Sequence, residues 1–257
     1  MSSASRKTVL FALISAGAIV LAWRADLRAQ VSYDTKAEYD GRFSFVRVRY
    51  GTGSDLAGGR FRRREPTWAH DFPRADFNFL RILGELTLVP SLVDQGNVRT
   101  LDDPDLSLFP IAYMSEPGFW SMSEAEAAGL RGYLQKGGFI IFDDFRGDHI
   151  QNLFAQMRQV LPDARFARLD ATHAVFHSFF EIDALDPRSG YYSDAGDAEW
   201  WGLFEDNDPR KRLLAIANNN HDLGELWEFS DTGYVPVDLS NEAYKFGVNY
   251  VMYGLTH

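Results

Sequence analysis

The spacing of apolar and polar positions predicts a strand, a helix and a second strand in the first half of the chain. Residues 43–50 (FSFVRVRY) alternate apolar and polar side chains, as a strand with one buried face does, and glycine-rich turns follow. Residues 73–86 begin with a proline suited to a first helical turn and then carry an apolar face, which predicts a helix. Residues 109–114 form a short apolar run typical of a buried strand.

A βαβ unit is predicted to continue from that strand. Ser123 and Glu126 have the spacing of a capping box, and Gly137 with Gly138 is a typical helix end. The run at 139–142 (FIIF) is apolar at every position, as a central parallel strand with both faces covered requires. We therefore expect this run to lie in the middle of a parallel sheet.

The second half of the chain continues the alternation. Residues 150–161 are amphipathic and predict a helix, and residues 241–253 predict a closing one. Residues 201–204 and 213–217 predict a strand pair with a turn at 206–209. Strands alternating with helices favour an α/β fold with a mostly parallel central sheet, helices on both faces and antiparallel additions near residue 205.

Residues 1–29 have a different pattern from the rest of the chain. Arg6 and Lys7 precede an apolar stretch at residues 9–23, which is short for a membrane span, and small residues follow it. This predicts a secretory signal peptide, with an uncleaved inner-membrane anchor as the alternative. We expect a periplasmic or otherwise exported protein in which residues 30–257 form a single α/β domain.

Charge and cysteine content exclude several kinds of function. The chain carries a net charge of −10, and residues 1–29 contribute +3 of it, so the exported form would carry −13. This acidity argues against nucleic acid as a partner, and against a membrane surface except through an uncleaved amino-terminal segment. The chain has no cysteine, which excludes thiol nucleophiles, thiolate zinc sites and iron–sulfur clusters.

Several segments together resemble a known bacterial family. These segments are RVRYG at 47–51, WAHDFPRAD at 68–76, GGFIIFDD at 137–144, NNNHDLGELWE at 218–228 and AYKFGVN at 243–249. They are similar to the family catalogued as domain of unknown function 4159. The likeness extends over nearly all of the chain that follows the predicted signal.

The resemblance implies a class I glutamine amidotransferase-like fold, which is a flavodoxin-like α/β sandwich. In the enzymes of that superfamily a cysteine occupies a strand-to-helix turn, and Asp143 and Asp144 stand at the matching place here. Without a cysteine the chain cannot form the thioester of a glutamine amidotransferase. Because a fold does not determine a function, the function has to be argued from the site.

Asp143 and Asp144 are the first candidate site. Ligands of open α/β sheets bind outside the carboxyl ends of the strands, where these two carboxylates are predicted to lie. They could hold a hard divalent cation, the one cofactor that we consider, or one of them could act as a base together with His221. The alternative is structural, with Asp144 capping the next helix and Asp143 pairing with Arg146 or with an arginine of the preceding loop.

An arginine-rich loop is the second candidate. Its guanidinium groups could clamp a carboxylate or phosphate, and an adjacent tryptophan suits sugar rings. Pairing with the protein's own acidic surface explains the cluster equally well. The predicted ligand-binding residues of this region are Arg60, Arg62, Arg63, Trp68, His70 and Asp71.

A polar turn follows the predicted strand at 213–217. Asn220, Asp222 and Glu225 lie around His221 and could recognise a polyol or position a water molecule, although asparagine and aspartate also dominate ordinary turns. His173, His177 and Glu181 have helical spacing for metal ligands, but their neighbours are apolar and the family likeness implies a turn there. We assign no metal site to these three residues.

Two hypotheses about function follow from these residues. The first is a non-catalytic ligand-binding or envelope-associated interaction module for a polar small molecule, a glycan or an envelope protein. The alternative is a hydrolase in which Asp143 or Asp144 works with a histidine to activate water on a glycan or peptide. We expect both carboxylates to face a crevice that receives the arginine loop and the turn at 220–222, and at least one of them to be reachable from solvent.

Overall fold

The fold is built around a mostly parallel sheet. The computed structural model describes residues 33–52, 66–186 and 196–257 of the chain. Residues 34–257 form one compact unit. The predicted signal at residues 1–29, and Arg60, Arg62 and Arg63, lie outside the described residues. Within these ranges, no helix has both the length and the hydropathy that crossing a bilayer requires. The strands are β1 (Val46–Val48), β2 (Gly51–Thr52), β3 (Val98–Arg99), β4 (Ile111–Ser115), β5 (Trp120–Ser121), β6 (Phe139–Phe145), β7 (Phe166–Arg168), β8 (Glu199–Phe204) and β9 (Leu213–Asn219).

The strand order is that of a flavodoxin-like sheet. The main sheet of the described residues runs β3-β1-β4-β6-β9-β8-β7. Strands β3, β1, β4, β6 and β9 are parallel to one another, and along the chain they have the doubly wound order 2-1-3-4-5. Strands β8 and β7 add to this sheet in antiparallel pairing. The predicted fold class, including its antiparallel addition near residue 205, is confirmed.

Helices cover both faces of the sheet, as predicted. Helices α1, α4 and α5 pack together on one face, and α2 and α3 pack together on the other. Apolar side chains of α1, α4 and α5 share one core cluster with alternate residues of the sheet, among them Tyr113 and Ile141. The helices are α1 (Arg74–Leu86), α2 (Glu124–Gln135), α3 (His149–Val160), α4 (Leu223–Glu228) and α5 (Val237–Thr256).

Local signals in the sequence account for the βαβ unit. The hydroxyl of Ser123 accepts from the backbone N–H of Glu126 at 3.2 Å, and the Glu126 carboxylate accepts from the backbone N–H of Ser123 at 2.8 Å, which is the predicted capping box. Gly137 follows the helix with φ +107°, a conformation that favours glycine. Strand β6 then pairs with β4 and β9, and Ile141 is 3% exposed, so it is the predicted central strand.

One predicted strand is shorter in the structure, and the turn that the resemblance implied near His173 is confirmed. The strand expected at 43–50 pairs only over Val46–Val48, and Phe43 forms an isolated bridge with Ser91 instead. Between His173 and Glu181 there is one short 3₁₀ turn at 174–176 and no α-helix, because this apolar segment packs into the core. His173 caps this turn by accepting from the backbone N–H of Val175, and His177 contacts the Glu181 carboxylate at 2.6 Å without a helix between them.

Candidate functional site

Polar side chains from four parts of the chain meet at the carboxyl edge of the parallel strands. His70 and Asp71 lie in the turn that precedes α1, and Ser115 ends β4. Asp144 lies near the end of β6, and Asp222 is the N-cap residue of α4. The edge is where ligands bind in open α/β sheets, and the strand pattern predicted it as the site.

Four of these side chains converge closely enough to share one ligand. His70, Asp71, Asp144 and Asp222 each offer a ligand atom, and these atoms all lie within 4.8 Å of one another. We call these four residues the histidine-aspartate cluster. The three aspartates are buried, whereas 42% of the His70 side chain is exposed. The imidazole is therefore the member of the cluster that faces solvent.

His70 and Asp144 form the closest contact in the cluster. Nδ1 of His70 lies 2.8 Å from Oδ2 of Asp144, and the hydroxyl of Ser115 donates to the same oxygen at 2.8 Å. The hydrogen bond with Asp144 raises the pKa of His70 to about 10. The predicted capping role of Asp144 is wrong, because Asp148 is the N-cap residue of α3 and Asp144 is already occupied by His70 and Ser115.

Asp71 is the least satisfied residue of the cluster. It is 5% exposed, and neither carboxylate oxygen has a hydrogen-bond partner among the described residues. Nδ1 of His70 lies 3.4 Å from its Oδ1. Burial raises the pKa of Asp71 well above its ordinary value, and the charge of Asp144 raises it further. A buried carboxylate without donors is rare in proteins and calls for an explanation.

Asp222 belongs to the cluster and also begins α4. Its Oδ1 accepts from the backbone N–H of Glu225 at 2.8 Å, an ordinary capping contact. Burial raises the pKa of Asp222, and the charges of Asp144 and Asp71 raise it further. The prediction that Asp222 lies at the site therefore agrees with its position.

Asp143 has a different environment from its neighbour in sequence. Its carboxylate accepts from the Tyr113 hydroxyl at 2.6 Å, from Nδ2 of Asn218 at 2.9 Å, and from the backbone N–H groups of Leu223 and Gly224 at 2.7 and 3.2 Å. Burial raises its pKa to about 6. These bonds join β4, β6, β9 and the start of α4, so the carboxylate holds the scaffold together. The expected pairing of Asp143 with an arginine is not seen among the described residues.

The expected exposure of the aspartate pair is wrong. Asp143 is 0% exposed and Asp144 is 2% exposed, because α4 and the turn before α1 close over the end of β6. The partly exposed side of the crevice is formed by His70, Glu225 and Glu228. Any ligand would therefore reach Asp144 past these three side chains.

A second group of converging carboxylates shares Asp71 with the histidine-aspartate cluster. Ligand atoms of Asp71, Glu225 and Glu228 also lie within 4.8 Å of one another. Burial raises the pKa of Glu228, and the charge of Glu225 adds to this. Glu225 is a predicted site residue, but Glu228 is not. The sequence signal that could have identified Glu228 is its spacing of three residues from Glu225, because that spacing places both glutamates on one side of a helix.

Three predicted residues have structural environments instead. The ring of His221 is buried between Trp200 and Phe246, and its Nδ1 accepts from the backbone of Asp222 at 2.9 Å. Burial lowers the pKa of His221 to about 4, and it is not part of either convergence. Asn220 holds a turn, since its side chain accepts from Gly147 and donates to Asp197. Trp68 is 6% exposed, so its indole offers little surface to a sugar.

Arg47 supports the turn that carries His70 and Asp71. Its buried guanidinium pairs with Asp76 of α1 and donates to the backbone carbonyl of His70 at 3.1 Å. It also lies over the ring of Tyr113, 4.4 Å from the centroid. The arginine therefore fixes the position of the turn, while Asp76 balances its charge.

The backbone at this edge adopts uncommon conformations. Non-glycine residues with φ between +47° and +62° follow β4, interrupt β6, follow β9 and precede α1. Such left-handed residues cost free energy and concentrate at functional sites in proteins. A register shift between Phe142 and Phe145 accompanies them in β6. The residues are Asp71, Glu116, Asp144 and Asn220.

Comparison with known proteins identifies a family for the chain. No curated protein matches it. A family model with the description "Domain of unknown function (DUF4159)" matches residues 44–255, a range that contains every member of both convergences. The chain therefore belongs to this family, as the resemblance of its motifs implied.

Proposed function

We propose that the histidine-aspartate cluster binds a hard divalent cation and, through it, a polar ligand. The observation that carries the proposal is Asp71, a buried carboxylate with two oxygens that no described donor satisfies. Carboxylate oxygens with one imidazole are suitable ligands for Mn²⁺ or Mg²⁺. A cation would offset the repulsion among the three aspartates, whose ligand atoms already converge.

The ligand of such a cation would enter from the side of His70 and Glu225. A polar small molecule or a glycan has the oxygen atoms that a hard cation prefers. Arg60, Arg62 and Arg63 stay predicted ligand contacts. With the predicted signal at residues 1–29, this makes a cation-dependent binding module that works outside the cytoplasm.

A hydrolase is the second candidate, and the contact between His70 and Asp144 favours it. A bound cation lowers the pKa of a coordinated water, and the protonated imidazole of His70, at the open side of the crevice, is placed to donate a proton to the leaving group. In this version the histidine of the hydrolase hypothesis is His70 instead of His221. The substrate class stays a glycan or a peptide.

Calorimetric titration of the purified, chelator-treated full chain with Mn²⁺, Mg²⁺ and Ca²⁺ tests the proposal. We expect at least one of these cations to bind and to raise the melting temperature by mass action. Asp71→Asn should lose this response, whereas the matched control Asp238→Asn, on the exposed first turn of α5, should keep it. Equal binding by wild type and Asp71→Asn would refute the proposal.

The predicted arginine loop supplies a competing explanation that the same titration can separate. If arginines neutralise the cluster in place of a cation, the wild type will bind no cation. A triple variant with Arg60, Arg62 and Arg63 changed to alanine would then acquire cation binding. That combination would overturn the proposal and favour an anionic ligand clamped by the loop.

A further inference from the structure

Asp71 stands where the two convergences of carboxylates meet. One group of ligand atoms joins Asp71 to His70, Asp144 and Asp222, and the other joins it to Glu225 and Glu228. Both oxygens of Asp71 lack a described hydrogen-bond partner. A carboxylate shared in this way has the arrangement of a bridging ligand between two cations.

Helix α4 brings the two glutamates to this carboxylate. Leu223 and Gly224 donate their backbone N–H groups to Asp143, which fixes the first turn of the helix at the sheet edge. Glu225 and Glu228 then follow at a spacing of three residues on the same side of the helix. Their side chains are partly exposed, so this half of the crevice is open to ions from solvent.

Gly224 makes the close approach of α4 to Asp71 possible. A Cβ atom at this position would lie 2.5 Å from Oδ2 of Asp71, closer than real Cβ contacts, and 3.0 Å from the Tyr113 hydroxyl, which is a tight contact. Any larger residue would push the carboxylate away from the helix. The absence of a side chain at Gly224 therefore keeps Asp71 within reach of both glutamates.

The two oxygens of Asp71 can be engaged in more than one way. A proton shared with Glu228 is one way to engage this carboxylate. A single proton, however, can occupy only one of the two Asp71 oxygens. The other oxygen would still lack a donor, whereas two cations would engage both.

We propose that Asp71 bridges two divalent cations, one in the histidine-aspartate cluster and a second held by Glu225 and Glu228. This inference rests on the proposed function, since the first cation is the one proposed there. Carboxylate-bridged cation pairs in proteins lie about 3.5–4 Å apart. The ligands of the second position are all carboxylates, which favours Mn²⁺ or Mg²⁺ over softer metals.

Titration of the chelator-treated full chain with Mn²⁺ tests the bridge, with the bound metal counted by elemental analysis. We expect two Mn²⁺ per chain and an electron paramagnetic resonance spectrum with the splitting of a coupled pair. No bound Mn²⁺ would remove the proposed function together with this inference. One Mn²⁺ per chain would leave the proposed function standing and overturn the bridge.

Variants separate the two cation positions. Glu228→Gln should lower the ratio from two to one and abolish the coupled spectrum, whereas the matched control Glu124→Gln, exposed on α2, should keep both. Asp71→Asn should weaken both positions. Two Mn²⁺ in Glu228→Gln, or two uncoupled Mn²⁺ in the wild type, would show that Asp71 does not bridge. Melting temperatures of each variant with chelator would show that the protein is folded.

Discussion

The two edges of the parallel sheet differ in how their charges are satisfied. The amino edge borders a cavity of about 610 Å³ that is lined by Leu134, Phe204 and Arg212 among others. Exposed cations near it are matched by their neighbours, as Lys211 is by Asp206 at 2.5 Å. The carboxyl edge instead buries Asp71 without a donor among the described residues. Cavities of similar volume lie beside Tyr253 and beside Lys245, so volume does not select a site, whereas unsatisfied polar groups point to the carboxyl edge.

The same contrast exists within the carboxyl edge, between Asp143 and Asp71. Both carboxylates are buried, but Asp143 accepts four hydrogen bonds and Asp71 accepts none from described residues. A buried carboxylate that accepts hydrogen bonds can hold elements of the fold together. A buried carboxylate without donors lowers the free energy of unfolding until a ligand binds to it. The structure therefore distinguishes a satisfied carboxylate from an unsatisfied one at two positions that the sequence does not distinguish.

The largest change in the free energy of unfolding is expected from Asp143→Asn. The amide replaces an acceptor by a donor where the Tyr113 hydroxyl and the backbone of Leu223 and Gly224 already donate. We expect a loss of about 3 kcal/mol in the free energy of unfolding, as for other broken buried networks. Urea unfolding with chelator measures it. A change below about 0.5 kcal/mol would remove the contrast with Asp71.

Asp71→Asn should leave the stability without cation intact and abolish the stabilisation by a cation. With chelator we expect it to be as stable as the wild type or more so, since the substitution removes a repelling charge from the cluster. At a cation concentration of 100 times the dissociation constant, the wild type should gain about 2.7 kcal/mol and the variant should not. Melting curves with and without Mn²⁺ check this. A stability loss like that of Asp143→Asn would place Asp71 in the scaffold.

A smaller effect is expected from pH in the presence of chelator. The raised pKa values of Asp71, Asp222 and Asp143 mean that the folded state holds protons that the unfolded chain releases. Their contribution to stability is full below the unfolded pKa of about 4 and is lost as the pH rises through the folded values. His70 acts in the same sense, since its contribution is lost as the pH rises through about 10.

The free energy of unfolding should therefore fall between about pH 4 and pH 10, first through Asp143, whose folded pKa is about 6, and then through His70, whose folded pKa is about 10. A buried carboxyl that titrates in this window should contribute about 1.4 kcal/mol for every tenfold difference in proton affinity between the folded and unfolded states. Urea unfolding at several pH values measures the slope. Saturating Mn²⁺ should flatten it, because the cation and the protons compete for the same oxygens. A slope of the opposite sign would contradict raised pKa values in these carboxyl groups.

The smallest effect is expected from Arg212→Ala at the amino edge. Its guanidinium donates to the carbonyls of Leu134 and Gly138 at 2.5 and 3.1 Å, near the end of α2. We expect a loss of about 1 kcal/mol, as for other hydrogen bonds to a charged group, and no change in Mn²⁺ affinity. Loss of cation binding in this variant would mean that the two edges are not independent.

Patterns local in sequence were sufficient to predict the framework. The capping box of α2, the central strand β6 and the antiparallel strand pair depend on periodicity and turn residues, which act over a few positions. The position of Asp144 at the sheet edge follows from the same reasoning. The extra length of α5 and the short pairing of β1 depend on neighbours that local patterns do not include.

The partners within the site depend on contacts between distant residues. His70 and Asp144 are 74 positions apart, and their contact depends on how the turn before α1 folds over β6. His221 is adjacent to Asp222 in sequence, yet its ring turns into the aromatic core while the aspartate faces the cluster. The unsatisfied state of Asp71 is a property of the packed structure, which no spacing of residues encodes.

Arg47 bears on how the site responds to a ligand. Because its guanidinium holds both Asp76 and the backbone of His70, the turn that carries two members of the cluster is ordered during folding. A cation then meets side chains whose conformational entropy is already lost, so little of its binding free energy is spent on ordering the chain. The site is preorganised in the thermodynamic sense, and the core of the protein bears the entropic cost.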